Sequence, residues 1–194
     1  MFASPPAGSV LAALREVTGP AGCLLVVFNY TGDRVNFGLA ANRAKAEGLK
    51  VSVRFIQDDC ALESEDKAVG RRGLLGGIAT LKVLSAAAEQ GKSLTEMEQI
   101  FDQVTESSNL GTIGFSTSGC SLPVGKPGIL LETGEVELGL GVHGEPGIRK
   151  WKFTNNSELI GQLLPLVNRR LKLSASDEVM LLLNNLGGMT GQFS

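Results

Sequence analysis

The sequence has few aromatic residues, little histidine and few cysteines. Aromatic residues make up 5% of its 194 residues, with one tyrosine, one tryptophan and one histidine. The three cysteines, Cys23, Cys60 and Cys120, are widely spaced, odd in number and without a CxxC pair, which argues against both a disulfide framework and structural zinc. This pattern favours a reducing compartment, and we expect the protein to be cytoplasmic.

Blocks of one charge and long apolar runs are also missing. Eighteen basic residues face 20 acidic ones and no basic block exceeds a pair, so nucleic acid is not an expected partner. No apolar stretch approaches the 18 residues of a membrane helix, and the first ten residues do not resemble a signal peptide. With 43% hydrophobic and 20% charged residues, the composition predicts one globular domain without a membrane partner.

The first part of the chain predicts a strand, a helix and a second strand. Residues 22–28 form an apolar run of strand length, and a helical pattern then continues to Gly48. Residues 50–56 alternate polar and apolar side chains, as in a half-buried strand. Such a βαβ unit implies parallel pairing and a right-handed crossover.

The rest of the chain predicts helices, short strands and turns. Apolar residues recur at helical spacing over 74–89, which predicts a buried helix, and a capping box at Ser93 opens another helix that reaches about residue 107. After residue 110, glycines separate short apolar pieces, and these predict a mixed sheet. Residues 158–171 predict a helix and 178–183 a buried strand. The expected fold class is α/β, a mixed and mostly parallel sheet with flanking helices.

His143 is the only histidine and lies between glycines in GVHGEPG. A loop of this kind leaves an imidazole approachable from several directions, which favours a functional role. A histidine in a tight turn without a function fits the same residues. Both interpretations stay open on local sequence alone.

Asp33 ends the segment NYTGD, directly after a predicted strand and before a predicted helix. Open α/β sheets place ligand groups at such strand ends, where a carboxylate could accept a proton from a substrate hydroxyl. An aspartate that caps the helix through its side chain is the alternative. Position alone does not separate the two.

Two pairs of charged residues were candidates for ion binding. Asp58 and Asp59 suit magnesium chemically, but neighbours on an extended chain point to opposite faces, so we predict a turn or helix-start role and no metal site. Arg71 and Arg72 in GRRG could hold an anion, although an exposed basic turn at a helix start is the commoner arrangement.

Nucleotide-binding motifs are absent from the sequence. No GxxxxGK[ST] segment occurs, and GLGVHG does not complete a GxGxxG loop, because Glu145 and Pro146 follow Gly144. We therefore expect no nucleotide site in this chain.

Several segments taken together resemble a known family. They are FNYTGDRVNFGLA, QDDCAL, GRRGLLG, SGCSLPVGKP, ELGLGVHGEPGIRK and NNLGG, in that order. The chain resembles the substrate-binding domain of dihydroxyacetone kinases, particularly the fused eukaryotic type called triokinase/FMN cyclase. The resemblance implies that residues 1–194 are part of such a domain. It also leads us to expect that a GGGSGHEP-like segment before the chain, the remainder of the domain after it and the ATP-binding domain are not included.

The resemblance implies a role for each candidate residue. His143 would form a reversible covalent hemiaminal with the ketone carbon of dihydroxyacetone, and Asp33 would act as general base for the hydroxyl that attacks phosphorus. Phe28 stands where the family often has lysine, which removes one possible donor beside the substrate. The other expected substrate-binding residues are Gly32, Asn29, Thr31 and Gly144.

The resemblance also implies partners. ATP and magnesium would be bound by a separate domain or chain, or the phosphate would come from a phosphoprotein. Dihydroxyacetone is the expected ligand, glyceraldehyde is left open as a second one, and a homodimer is expected. The alternative function is a non-catalytic ketose-binding or regulatory interaction module derived from the same domain.

Overall fold

The computed structural model describes residues 3–62, 70–106, 108–117, 120–121, 127–129 and 131–185. Its helices are α1 (Ala7–Val17), α2 (Thr31–Ala46), α3 (Gly76–Glu89), α4 (Leu94–Thr105) and α5 (Asn156–Leu171). Its strands are β1 (Cys23–Phe28), β2 (Val51–Ile56), β3 (Phe115–Ser116), β4 (Cys120–Ser121), β5 (Pro127–Ile129), β6 (Glu135–Leu138) and β7 (Arg149–Lys152).

The predicted βαβ unit is present. Strand β1 pairs with β2 in parallel, with Cys23 opposite Val51 and Phe28 opposite Ile56, and α2 connects them. Successive residues of β1 face opposite sides: Leu25 packs with α1 and α2, while Leu24 packs with α3 and α4. The two strands therefore lie between two helical layers, and the α/β class is confirmed.

The second half of the described chain contains antiparallel strands. Strand β6 lies between β3 and β7, with Val136 opposite Trp151, and β4 pairs separately with β5. Val136 and Leu138 of β6 are buried. The strand pairs described after residue 110 are all antiparallel, so the mixed directions predicted for this region are found only over the described chain as a whole, where the β1–β2 pair is parallel. The turn between β6 and β7 carries His143.

The prediction of a buried strand over 178–183 is wrong. These residues form no strand, and Met180 and Leu181 are 77% and 78% exposed. A strand needs a neighbour to accept its backbone hydrogen bonds, and no described strand lies beside this segment. An apolar run alone cannot report whether such a neighbour exists.

Two helices differ from expectation. Helix α3 is buried on one face only, because Ile78 and Leu81 are exposed while Leu84 lies in the core. Helix α1 was not predicted, although its buried Leu11 and Leu14 follow helical spacing against α2. Within the part of the chain that the structure describes, no helix has the length and apolarity required to cross a bilayer.

Candidate functional site

The turn that carries His143 is tight and rich in glycine. Gly139 and Gly144 adopt φ angles of +81° and +87°, which residues other than glycine rarely adopt. A Cβ atom on Gly141 would overlap the Glu145 carboxylate. The glycines therefore let the turn fold Glu145 back against its own backbone.

Glu145 binds His143 through both carboxylate oxygens. One oxygen lies 3.0 Å from the imidazole Nδ1 atom, and the other accepts a hydrogen bond of 3.0 Å from the His143 backbone amide. An ionised carboxylate can only accept, so the neutral ring carries its proton on Nδ1. The lone pair then lies on Nε2. Both side chains remain 30% exposed.

The His143 ring packs edge-on against the only tyrosine. The centroids of the Tyr30 and His143 rings are 4.8 Å apart at an interplanar angle of 83°. Tyr30 lies two residues after the end of β1 and directly before α2, so His143 lies at the carboxyl end of that strand. Burial, with a smaller contribution from the charge of Glu145, raises the pKa of Tyr30, so its phenol stays protonated.

Asp33 lies in the first turn of α2, and the alternative interpretation of Asp33 as the helix cap is wrong. Tyr30 occupies the N-cap position, and no side chain caps the helix there. An acidic side chain in the first turn is favoured by the helix dipole. Thr31 and Gly32 are exposed in the same turn. The structure thus places NYTGD beside His143 through Tyr30, and the proton-accepting role of Asp33 stays a prediction.

Asn29 is 1% exposed, and both ends of its side chain are engaged. Its Nδ2 atom donates to the Arg71 carbonyl at 2.6 Å, and its Oδ1 atom accepts from Arg34 Nη1 at 2.8 Å. Arg34 also stacks over Phe55 at 4.4 Å. These contacts fix the end of β1, and direct contact between Asn29 and a substrate stays a prediction.

Phe28 contacts the start of α3. A Cβ atom on Gly77 would overlap the Phe28 ring, and one on Gly73 would lie 2.7 Å from the Ile56 carbonyl oxygen. Glycine at both positions lets the loop before α3 cross close over the strand ends. The Phe28 side chain therefore has a packing role, at the position where the resembling family often has lysine.

Asp58 has the predicted helix-start role. It is fully buried and accepts hydrogen bonds from the backbone amides of Leu74 at 2.6 Å and Gly76 at 2.8 Å. The Thr112 hydroxyl donates to it as well. These bonds satisfy amides at the amino end of α3, so Asp58 replaces a local cap from a distance in sequence.

Asp59 and Arg72 form a buried ion pair. Their closest atoms are 2.6 Å apart, and Arg72 is 5% exposed. Arg72 also donates to the Gly139 carbonyl, which ties this pair to the turn of His143. Burial raises the pKa of Asp59, although the charge of Arg72 lowers it in part. The exposed basic turn predicted for GRRG is therefore wrong for Arg72, which pairs with the chain's own carboxylate.

Sequence reasoning missed the roles of Glu145, Tyr30 and Arg72. The spacing in HGE, with an acid two residues after the histidine within a glycine-rich turn, was the available signal for Glu145. The Asp59–Arg72 ion pair joins positions 13 residues apart, and no local sequence pattern predicts it. Over the described ranges, no three His, Cys, Asp or Glu side chains form a cluster suited to a metal ion.

The fold and the site define an α/β protein with a partly exposed histidine at the carboxyl end of a parallel strand, where this class binds ligands. The family model described as "Dak1 domain" matches residues 1–192. The chain belongs to the Dak1 domain family.

Curated relatives agree with this family. The chain is 44% identical over 197 residues to the triokinase/FMN cyclase of Rattus norvegicus, covering 98% of this chain and 34% of that protein. It is 39% identical over 188 residues to a PTS-dependent dihydroxyacetone kinase 1, dihydroxyacetone-binding subunit DhaK, of Listeria innocua, covering 96% and 56%. The chain therefore spans about a third of the first relative and just over half of the second.

Solved structures share the fold. The native dihydroxyacetone kinase of C. freundii matches with a TM-score of 0.79 and 36% identity, over 88% of this chain and 31% of that one. A dihydroxyacetone kinase operon co-activator, Dha-DhaQ, also matches with a TM-score of 0.79, at 27% identity over 87% of this chain and 51% of the other.

Proposed function

We propose that this chain is a substrate-binding domain of a dihydroxyacetone kinase that holds dihydroxyacetone covalently through His143. The observation that carries this proposal is the hydrogen bond between His143 Nδ1 and Glu145, which leaves Nε2 as the nucleophilic atom of a half-buried ring. The names of the curated relatives support dihydroxyacetone as the ligand.

The covalent step is an addition to a carbonyl group. The Nε2 lone pair forms a bond to the ketone carbon, and the π electrons of the carbonyl move to its oxygen. That oxygen takes up a proton, the Nδ1 proton is released in balance, and the product is a neutral hemiaminal. No water leaves, so the step is reversible and adds the full mass of the ligand.

Glu145 has two functions in this proposal. It holds the proton on Nδ1 before reaction, and it stabilises the positive charge that the ring acquires while the new bond forms. Its carboxylate is fixed by the His143 backbone amide, so the ring does not have to be ordered when the ligand arrives.

Bond formation would also select the ligand. A ketone or an aldehyde can add to Nε2, whereas glycerol cannot, because it has no carbonyl group. Glyceraldehyde stays a second candidate on this basis. Gly144, which adopts a positive φ angle beside His143, would let the ligand approach the backbone.

Asp33 is proposed as the general base for the hydroxyl that attacks phosphorus. It lies three residues after Tyr30 in the first turn of α2, next to the exposed Thr31 and Gly32. These two residues and Asn29 are the proposed lining for the ligand's hydroxyl groups. The phosphoryl group would come from ATP and magnesium on a separate domain or chain, or from a phosphoprotein.

Two wider expectations belong to the same proposal. A cytoplasmic setting is proposed from the cysteine pattern of the sequence, and an ATP-binding partner domain is proposed because the relatives are named as kinases. A homodimer is proposed from the resemblance and is checked by light scattering.

The proposal is tested by carbon-13 NMR with dihydroxyacetone labelled at its ketone carbon. A hemiaminal moves that signal from the ketone region to the region of tetrahedral carbons bonded to two heteroatoms. His143→Gln should abolish the new signal, and labelled glycerol should show none. Asp33→Asn should keep the signal and abolish phosphoryl transfer in the presence of an ATP-binding kinase domain. A protein-bound tetrahedral signal that survives His143→Gln would contradict the proposal.

A regulatory module is the second candidate function. The likeness to an operon co-activator at 27% identity is the observation that favours it. The two functions are distinguished by the phosphoryl-transfer assay on the unmodified chain, because a regulatory module binds the ketone without transferring phosphate. Ketone binding with no transfer by the unmodified chain would favour this second function.

A further inference from the structure

A pocket lies between the loop after β2 and the carboxyl end of α5, and the His143 turn does not line it. Three of its five lining residues are arginines, although the chain as a whole has a net charge of −2. The lining residues are Cys60, Arg71, Leu166, Arg169 and Arg170. Arg71 comes from the loop before α3, while Arg169 and Arg170 come from the last turn of α5. Basic residues at the end of one helix complement its own carbonyl groups, but this does not explain their convergence with Arg71.

Arg71 and Arg170 each use only part of their hydrogen-bonding capacity. Arg71 Nη1 donates to the Asp59 carbonyl at 3.0 Å, and Arg170 Nε donates to the Leu110 carbonyl at 2.6 Å. These bonds to the backbone fix the two guanidinium groups, and most of their N–H donors remain available for a ligand. Among the described residues, neither side chain forms an ion pair with a carboxylate.

The nearby acidic groups that the structure describes, Asp58 and Asp59, already have other partners. Asp58 accepts the amides at the start of α3, and Asp59 pairs with Arg72. Burial raises the pKa of Cys60 to about 11, so its thiol carries no charge at neutral pH. The pKa of Arg170 is lowered by burial, and the positive charge of Arg71 lowers it further. Within the described part of the chain, these two cations therefore lie close together without a carboxylate paired to either of them.

We propose that this pocket binds a phosphate group, either as inorganic phosphate or as the phosphate of a small monoester. Planar guanidinium forks match the oxygens of phosphate, and two forks held by the backbone can bind it without first being ordered. The pocket is distinct from the His143 site, but the two are connected through the end of β1. The Arg71 carbonyl accepts a hydrogen bond from the Asn29 side chain, and the next residue, Tyr30, packs against His143. The inference does not depend on the proposed kinase function.

The test is a calorimetric titration of the chain with inorganic phosphate at constant ionic strength. We expect saturable binding with one site, and we expect Arg170→Gln and Arg71→Gln each to weaken it by about tenfold or more. Arg43→Gln removes an exposed arginine from the last turn of α2 and should leave the affinity unchanged. Glycerol 3-phosphate and ADP, titrated in parallel, distinguish free phosphate, a monoester and a nucleotide as the source.

A second readout keeps the inference testable if a variant unfolds. Phosphate should raise the Tm of the unmodified chain more than chloride does at the same ionic strength, since it binds only the folded state. His143→Gln should bind phosphate normally, so this test and that of the proposed function can fail separately. Absence of saturable binding, or an equal loss in Arg43→Gln, would overturn the inference.

Discussion

His143 and Glu145 are separated by a single glycine, and the positive φ angle of Gly144 brings their side chains to a distance of 3.0 Å. For the proposed covalent step, the charge of Glu145 matters more than its shape. It holds the Nδ1 proton and stabilises the ring as it becomes positive.

Glu145→Gln is therefore expected to weaken capture of dihydroxyacetone by roughly tenfold or more, which is the effect of losing one charge-assisted hydrogen bond. Occupancy of the carbon-13 hemiaminal signal against ligand concentration measures this. Glu47→Gln removes an exposed glutamate paired with Arg15 and serves as the control. Equal capture by the Glu145 variant and the unmodified chain would refute the role of its charge.

The Asp59–Arg72 pair shows the cost of burying charge. Arg72→Met leaves the Asp59 carboxylate buried without its partner, and we expect a loss of about 3–5 kcal/mol in the free energy of unfolding. Urea denaturation measures the loss. The double variant Arg72→Met with Asp59→Asn should recover part of it, because the unpaired charge is gone. No recovery would show that Arg72 stabilises the fold through Gly139 rather than through Asp59.

At the level of elements, the loop before α3 crosses the ends of β1 and β2 at very short distances. A Cβ atom on Gly73 would lie 2.7 Å from the Ile56 oxygen and 3.0 Å from the Asn29 nitrogen, both backbone atoms that cannot rotate away. Gly73→Ala should therefore destabilise the protein by about 1–3 kcal/mol. Thermal unfolding gives the size of the effect.

Gly38→Ala is the matched control for this prediction. Gly38 lies inside α2, and a Cβ atom there would meet nothing within 4 Å. Alanine should stabilise the helix by about 0.5–1 kcal/mol, because glycine loses more backbone freedom on folding. The account of the loop is wrong if the two substitutions change the Tm equally.

The capping box of α4 makes a prediction for acid pH. Hydrogen bonds from the Ser93 backbone and hydroxyl, and then from Lys92, lower the pKa of Glu96 to about 2. An unfolded glutamate titrates near about 4.3. Because the folded pKa is the lower one, the contribution of Glu96 to stability is present above the unfolded value and is lost as the pH falls towards 2.

Glu96→Gln keeps an acceptor in the capping box but does not titrate. The difference in Tm between the unmodified chain and this variant should therefore shrink between pH 5 and pH 2, as measured by circular dichroism. A difference that stays constant over this range would show that the carboxylate charge does not stabilise α4.

The sequence predicts elements whose cause is local. The apolar runs of β1 and β2, the capping box at Ser93 and the helix over 158–171 depend on neighbouring residues, and each is present. The segment 178–183 has the composition of a strand but no described neighbour, so composition was misleading there. The exposed face of α3 likewise depends on what packs against it, which a periodicity does not contain.

In the candidate site, too, the sequence predicts local features but not contacts between distant residues. Resemblance in the glycine-rich turn and in NYTGD indicated His143 and Asp33, but the contact between Tyr30 and His143 joins positions 113 residues apart in sequence. The buried ion pair and the basic pocket also combine residues from separate elements. Such contacts depend on the packing of the whole chain, and no spacing rule predicts them.

On the scale of the whole molecule, the central claim is that a parallel βαβ unit and an antiparallel hairpin together form a covalent ketone site. The NYTGD segment, which connects β1 to α2, supplies Tyr30, and the turn between β6 and β7 supplies His143 and Glu145. Neither part holds the site alone. Together they form the site at which the proposed adduct on His143 Nε2 would be made.

The most direct measurement is a native mass spectrum of the chain with dihydroxyacetone. The account predicts one adduct with the full mass of the ligand, absent from His143→Gln and absent when glycerol replaces the ketone. The adduct should disappear on removal of free ligand, because the addition is reversible. An adduct that persists in His143→Gln, or no adduct in the unmodified chain at saturating ketone, would contradict the claim.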